Sequence, residues 1–283
     1  MFNPTQVIIS DCIERLETGY HNTYYNSEEL DYAKVLGNVT KMALGMIANS
    51  DALYHNVEHT ILVTLVGQEI LLGKQSKDNN VASKDWLHFI ISLLCHDIGY
   101  VKGVCRQDQS KEGWYAKGID DLLLCLSPGS TDASLTPFHV DRGKLFIDEY
   151  FGNHHYLDAE VIKHNIELTR FPVPKDEAHQ DTGNYPGLAR AADLIGQLSD
   201  PRYLYKLPAL FYEFQETEAT KAFGYNHPGD VRKNYSNFFW NVVYQYIQPA
   251  LGYLEITSCG KQIIANLYAN VFRVESENSL LQN

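Results

Sequence analysis

Apolar residues recur at helical spacing along nearly the whole chain, and no stretch sustains the two-residue alternation of a strand. Ile9, Ile13, Leu16 and Tyr20 mark a first helix, and Ser27-Glu28-Glu29-Leu30 opens a second that runs to about Ala48. Residues 57–72 are apolar on almost every side, the pattern of a buried helix rather than an amphipathic surface one. After a polar linker at 74–83, Ser83-Lys84-Asp85 starts another nearly all-apolar helix that ends in His96-Asp97, with Gly99 as its expected C-cap. Further helices are predicted over 114–126, 136–151, 156–169, 186–198, about 202–223, 232–253 and 257–274, and Phe171-Pro172-Val173-Pro174 stops one of them. Polar stretches at 101–112, at 127–134, which has the composition of a lid, and from Pro174 to Pro186 read as loops. The expected class is all-α.

The polar residues that interrupt these apolar runs carry the chemistry. His55 and His59 are four residues apart, so a helix would stack them on one face about 5.4 Å from each other, looking into one cavity. Asp97 falls at a helix C-terminus, where the dipole disfavours a carboxylate by up to about 1 kcal/mol and an apolar surround adds a larger desolvation cost. Asp193, in Ala189-Arg190-Ala191-Ala192-Asp193-Leu194-Ile195, needs a partner for the same reason. A bound cation removes these objections together. Imidazoles and carboxylates drawn from three helices suit an octahedral first-row ion or magnesium better than a four-thiolate zinc site does.

A histidine (His59), a later His96-Asp97 and a distant Asp193, all on helices, resemble the signature of the HD-domain metal-dependent phosphohydrolases. Tyr54-His55-Asn56-Val57-Glu58-His59-Thr60 is more particularly similar to the start of the cyclic-nucleotide phosphodiesterase catalytic domain. Tyr212-Glu213-Phe214-Gln215-Glu216-Thr217-Glu218 and the stretch 235–251 resemble that domain too, so the likeness spans roughly 53–254. It implies that His59, His96, Asp97 and Asp193 hold one divalent ion (manganese, magnesium, iron, nickel or zinc), with Asp97 able to bridge to a second. The ion would lower the pKa of a bound water towards about 7, His55 would protonate the leaving oxygen, and Asn56 and Glu58 would orient the imidazoles. The chain departs from the phosphodiesterase pattern at three places. Tyr100 stands where that family has a further histidine, Thr169-Arg170 where it has Thr-Asp, and Phe239 where it has a glutamine that reads the base.

Length and charge narrow the functional class. At 283 residues one large helical domain is expected over 1–283, with the helices of 1–50 packing on a catalytic core at 51–275. Twenty-three Lys and Arg against 35 Asp and Glu give a net charge of −12, which argues against nucleic-acid polymers and anionic membranes as partners. Five scattered cysteines without Cys-x-x-Cys spacing suggest reduced thiols and a cytoplasmic protein. Met1-Phe2-Asn3-Pro4 lacks the flank of a signal peptide, and no run of about 18 apolar residues predicts a membrane span. The leading expectation is therefore a phosphohydrolase acting on a small phosphorylated or nucleotide-like substrate, a cyclic nucleotide being the specific candidate. A metal-binding sensory or scaffold domain without turnover, a nucleotide phosphomonoesterase, and an HD-fold oxygenase or lyase are the alternatives. Tyr100, His164 and Arg190 are further candidates for the site: a ligand wall, a ligand to a second ion, and a partner for Asp193 or phosphate. Lys102, Arg106 and Lys111 are candidates to steer phosphate. His88, His139, His154, His155 and Asp108 are assigned to structure.

Overall fold

The computed structural model describes residues 2–25 and 32–280. It is all-α but for one small hairpin. Asn3 caps α1 (Pro4–Tyr24) by accepting from the main-chain N–H groups of Thr5 and Gln6, and the helix buries Ile9, Cys12, Leu16 and Tyr20. The second helix, α2, is Ala33–Ile47, and its expected start at Ser27-Glu28-Glu29-Leu30 lies outside the described residues. Together α1 and α2 form an antiparallel pair against the two helices at the centre, α3 (Val57–Asp78) and α4 (Ser83–Cys95). Every residue of α4 from Trp86 to Cys95 is buried, as its nearly all-apolar sequence requires, His88 and Ser92 included.

Next come α5 (His139–Phe151), α6 (Ala159–Glu167) and α7 (Tyr185–Leu198). They are followed by α8 (Tyr203–Glu216), α9 (Ala219–Phe223), α10 (Pro228–Phe238), α11 (Tyr244–Leu254) and α12 (Ser258–Leu280). Buried apolar side chains from Ile9 of α1 to Val274 of α12 form one continuous cluster. No helix among the described residues is long and apolar enough to cross a membrane.

The helices that matter most to function meet at two glycines. Gly196, three residues beyond Asp193 on α7, lies on the main chain of Val63, four beyond His59 on α3, with no room for a Cβ. Gly67 of α3 has the side chains of Leu93 and Phe89 of α4 on one side and Ala192 of α7 on the other. The main chains of α3 and α7 therefore touch at Gly196, whereas at Gly67 side chains of α4 and α7 pack onto the backbone of α3.

Several predicted elements differ in the structure. The expected helix over 114–126 is an antiparallel hairpin of β1 (Trp114–Ala116) and β2 (Leu123–Cys125), paired Trp114 to Cys125. Gly118, Asp120 and Asp121 between the strands all take positive φ, which no helix accommodates. The stretch 136–151 opens as a 3-10 segment, Asp132–Phe138, before α5 begins. The 202–223 prediction breaks where Glu218 turns left-handed (φ 61°), and 232–253 is interrupted by a π-helical turn at Phe239–Val243. Gly99 is no left-handed cap: it sits in a 3-10 turn, Ile98–Tyr100, pressed against the His139 carbonyl and the Gly143 N–H of α5.

Candidate metal centre

Asn56 sets the site's first element. With extended backbone (φ −130°, ψ −175°) it caps α3, its Oδ1 accepting from the N–H groups of Glu58 at 3.0 Å and His59 at 3.3 Å. His55 therefore precedes the helix, and helical stacking is not what pairs it with His59. Their rings nevertheless meet edge to face, with centroids 5.3 Å apart, because a carboxylate folds the preceding turn inward. That carboxylate is Glu213 of α8, 158 residues away. It accepts from the Tyr54 N–H at 2.6 Å and the His55 N–H at 3.2 Å, and pairs with His55 Nδ1 at 2.5 Å. With Nδ1 committed to Glu213, Nε2 is the edge His55 turns to its surroundings.

Four groups converge beside it. Asp97 Oδ2 lies 3.1 Å from His59 Nε2 and 3.2 Å from His96 Nε2; Asp193 Oδ1 lies 3.5 and 3.6 Å from the same two nitrogens. His96 Nδ1 donates to the Leu93 carbonyl at 2.7 Å, which orients the ring and leaves Nε2 as the atom turned to the two carboxylates. His59 is 4% exposed, His96 1% and Asp97 5%, yet His59 Nε2, His96 Nε2 and Asp97 Oδ2 make no hydrogen bond. Orphaned buried polar atoms are costly, and three of them sharing one point is the arrangement a cation repairs. Donors about 2.0–2.2 Å from one ion stand roughly 2.8–3.1 Å apart along an octahedral edge and 3.3–3.6 Å along a tetrahedral one. These four separations fall in or between those ranges, and the donor atoms of His59, His96 and Asp193, like those of His55, His59 and Asp97, lie within 4.8 Å of one another, so two overlapping triads that share His59 each have the reach of a divalent ion.

The electrostatics agree. Burial works against ionising Asp97, but His96, His59 and His55 outweigh it and hold the carboxyl well below its ordinary range. Burial likewise opposes protonation of His96, and Asp97 with Asp193 overrides it and raises the imidazole well above its usual value. The pocket demands positive charge, which protons or a metal can supply, so ion binding would expel protons. His55, opposed by burial but held by Glu213 and then by Asp97 and Asp193, is raised to about 9.

A stack of rings forms the next layer. Tyr100 lies between His55 (centroids 4.6 Å, planes 10° apart) and His139 (4.7 Å, 30°). His139 Nδ1 donates to the Thr136 carbonyl at 2.6 Å, leaving Nε2 turned toward Asp97 Oδ1 at 3.9 Å. Burial lowers the pKa of His139 despite Asp97, so its free nitrogen stays a lone pair. Asp97 thus offers Oδ2 to His59 and His96 and Oδ1 to the side where His139 stands. Sequence reasoning assigned His139 to structure and gave Glu213 no role; both belong to the site.

Other candidates lie elsewhere. Glu58 turns outward to Lys206 Nζ at 3.0 Å, and Asn56 serves the main chain rather than an imidazole. His164 is exposed on α6. Arg190 is not paired with Asp193: its guanidinium donates to the carbonyls of His179 and Asp181, both at 2.6 Å, and lies over the Tyr246 ring. Lys102 donates to the Ser130 carbonyl and pairs with Asp132, and the Arg106 guanidinium donates to the Glu149 carbonyl, so both are engaged in structural contacts. Arg170 forks onto Asp141 and Glu167.

Over residues 2–277 the chain matches the model of the Npun_R2479-like family, to which it belongs. Comparison with the curated proteins finds no relative.

Proposed function

We propose that this member of the Npun_R2479-like family is a metal-dependent phosphohydrolase that splits a small phosphoester, with a cyclic or other nucleotide phosphodiester as the specific candidate. One observation carries the reading: the unpaired donor atoms of His59, His96 and Asp97 lie together, with Asp193 3.5 and 3.6 Å from the two imidazoles, beside a histidine held by a buried glutamate. The resemblance of these residues to the HD-domain and phosphodiesterase signature supports it.

His59, His96, Asp97 and Asp193 would hold the ion. When bound, it supplies a hydroxide at neutral pH and offsets charge on phosphoryl oxygens. The protein's own part falls to His55. Glu213 fixes its ring and favours its protonated form, so Nε2–H faces the cavity as a donor for the leaving oxygen. Tyr100 closes one face of that ring and keeps it from rotating. Asp193, whose side chain is 16% exposed against 6% or less for the other three ligands, marks the side from which substrate approaches. The second oxygen of Asp97, with His139 opposite, is where a second ion would sit.

The test is metal-stripped protein reloaded with manganese, magnesium, nickel, iron or zinc and offered bis(4-nitrophenyl) phosphate, 4-nitrophenyl phosphate and cyclic nucleotides. His55→Ala should lower turnover by about 10² to 10⁴ while keeping its metal. Metal bound with every ester untouched would replace the proposal with a sensory role, and metal lost with His55 would make that residue a ligand.

A further inference from the structure

The position of Asp97 is not set by a helix. α4 ends at Cys95, and Asp97 and Tyr100 ride on the short turn that follows, closed by the Tyr100 N–H donating to Asp97 O and the Val101 N–H to Ile98 O. That turn is gripped by one side chain. Arg142 of α5, with no exposed surface, donates from Nε to the Gly99 carbonyl at 2.6 Å, from one terminal nitrogen to Val101 O at 2.9 Å and from the other to Ala116 O at 2.6 Å. Its remaining donors meet both oxygens of Asp108, at 3.0 and 2.9 Å. Asp108 in turn accepts from the N–H groups of Gly103, Cys105 and Ala116. Both side chains of this ion pair are wholly buried.

A buried ion pair is a poor way to gain stability, because desolvation cancels much of the attraction. Its use here is geometric. The planar guanidinium has all five N–H groups engaged, so it admits one arrangement of the pieces it joins: the turn after Asp97, the 103–108 bend, β1 and α5. His139 stands three residues before Arg142 on α5, and Gly99 abuts the His139 carbonyl. We infer that Arg142 and Asp108 are positioning residues, which hold the Asp97–Tyr100 turn against α5 and thereby set Asp97, Tyr100 and His139 relative to one another. This rests on the reading of that pocket as a metal centre only for its consequence in metal affinity.

Arg142→Lys keeps the charge but loses the fork, and Asp108→Asn keeps the shape but loses the charge; either suffices if the other fails to fold. Long-range ¹H–¹⁵N spectra of the imidazoles are compared with wild type and with Val274→Ala, a core truncation on α12 remote from the turn. The His139 and His96 resonances should move in the Arg142 or Asp108 variant while those of exposed His164 stay in place, and Val274→Ala should leave all three unmoved. Cobalt affinity should fall 10- to 100-fold, with an altered visible spectrum. A lowered melting temperature with the His139 and His96 resonances unmoved would reduce the pair to a folding role and overturn the inference. If wild type binds no cobalt, the metal reading fails, and the imidazole shifts alone still decide the positioning role.

Discussion

Replacing Glu213 by Gln removes the charge that keeps His55 protonated while leaving an acceptor for the Tyr54 and His55 N–H groups. In the intact pair burial pulls the His55 pKa down, but Glu213, backed by Asp97 and Asp193, lifts it from 6.5 to about 9. A group whose folded pKa exceeds its unfolded one stabilises the fold fully below the unfolded value and loses that contribution as pH climbs through the folded one. With these two values His55 contributes about 3 kcal/mol at pH 5, roughly 2–3 at pH 7, about 1 at pH 8 and under ~0.5 at pH 9. The His55 side chain is 17% exposed and that of Glu213 3%, so solvent screens little of this. The assay is urea unfolding of chelator-treated wild type and Glu213→Gln at pH 6, 7, 8 and 9, since a nearby divalent ion would repel the imidazolium and move the window to lower pH. The stability gap between the two proteins should shrink by about 2 kcal/mol from pH 7 to pH 9. A gap that stays level, or widens, would refute the assignment of Glu213 as the group that holds the proton on His55.

Two further outcomes are expected. At a manganese concentration a hundredfold above its Kd, wild type should gain about 3 kcal/mol in unfolding free energy, and Asp193→Asn or His59→Ala less than ~1; undiminished gains in these variants would place the ion elsewhere. Gly99→Ala drives a methyl group into the main chain of α5 at His139 and Gly143, and should cost about 1–3 kcal/mol in chemical denaturation; a neutral result would mean that the 98–100 turn yields.

The four candidate ligands were legible because each is a charged or titratable group inside an otherwise apolar run, a local contradiction that needs a partner. Glu213 was not, although it is 3% exposed with Leu210 and Phe211 buried on the same helix, because its partner lies 158 residues away and only the fold brings them together. His139 begins a helix of mixed composition, where nothing local separates a site residue from a surface one. The hairpin did leave a trace: Gly113, Gly118 and the Asp120-Asp121 pair bracket its strands with residues that accept positive φ, but the apolar content of 122–126 masks it. The break between α8 and α9 falls at Glu218, an exposed residue and a good helix former that nonetheless takes a left-handed backbone, so its residue type does not announce the break.

The contact of Gly196 with Val63 sets the spacing of α3 and α7 near His59 and Asp193 through main-chain atoms rather than through replaceable side chains. Sequence drift can exchange one aliphatic residue for another throughout the bundle and leave the span from His59 to Asp193 as it is. A single methyl group at position 196 would act as a shim, prising α7 and α3 apart within a turn of Asp193 and His59.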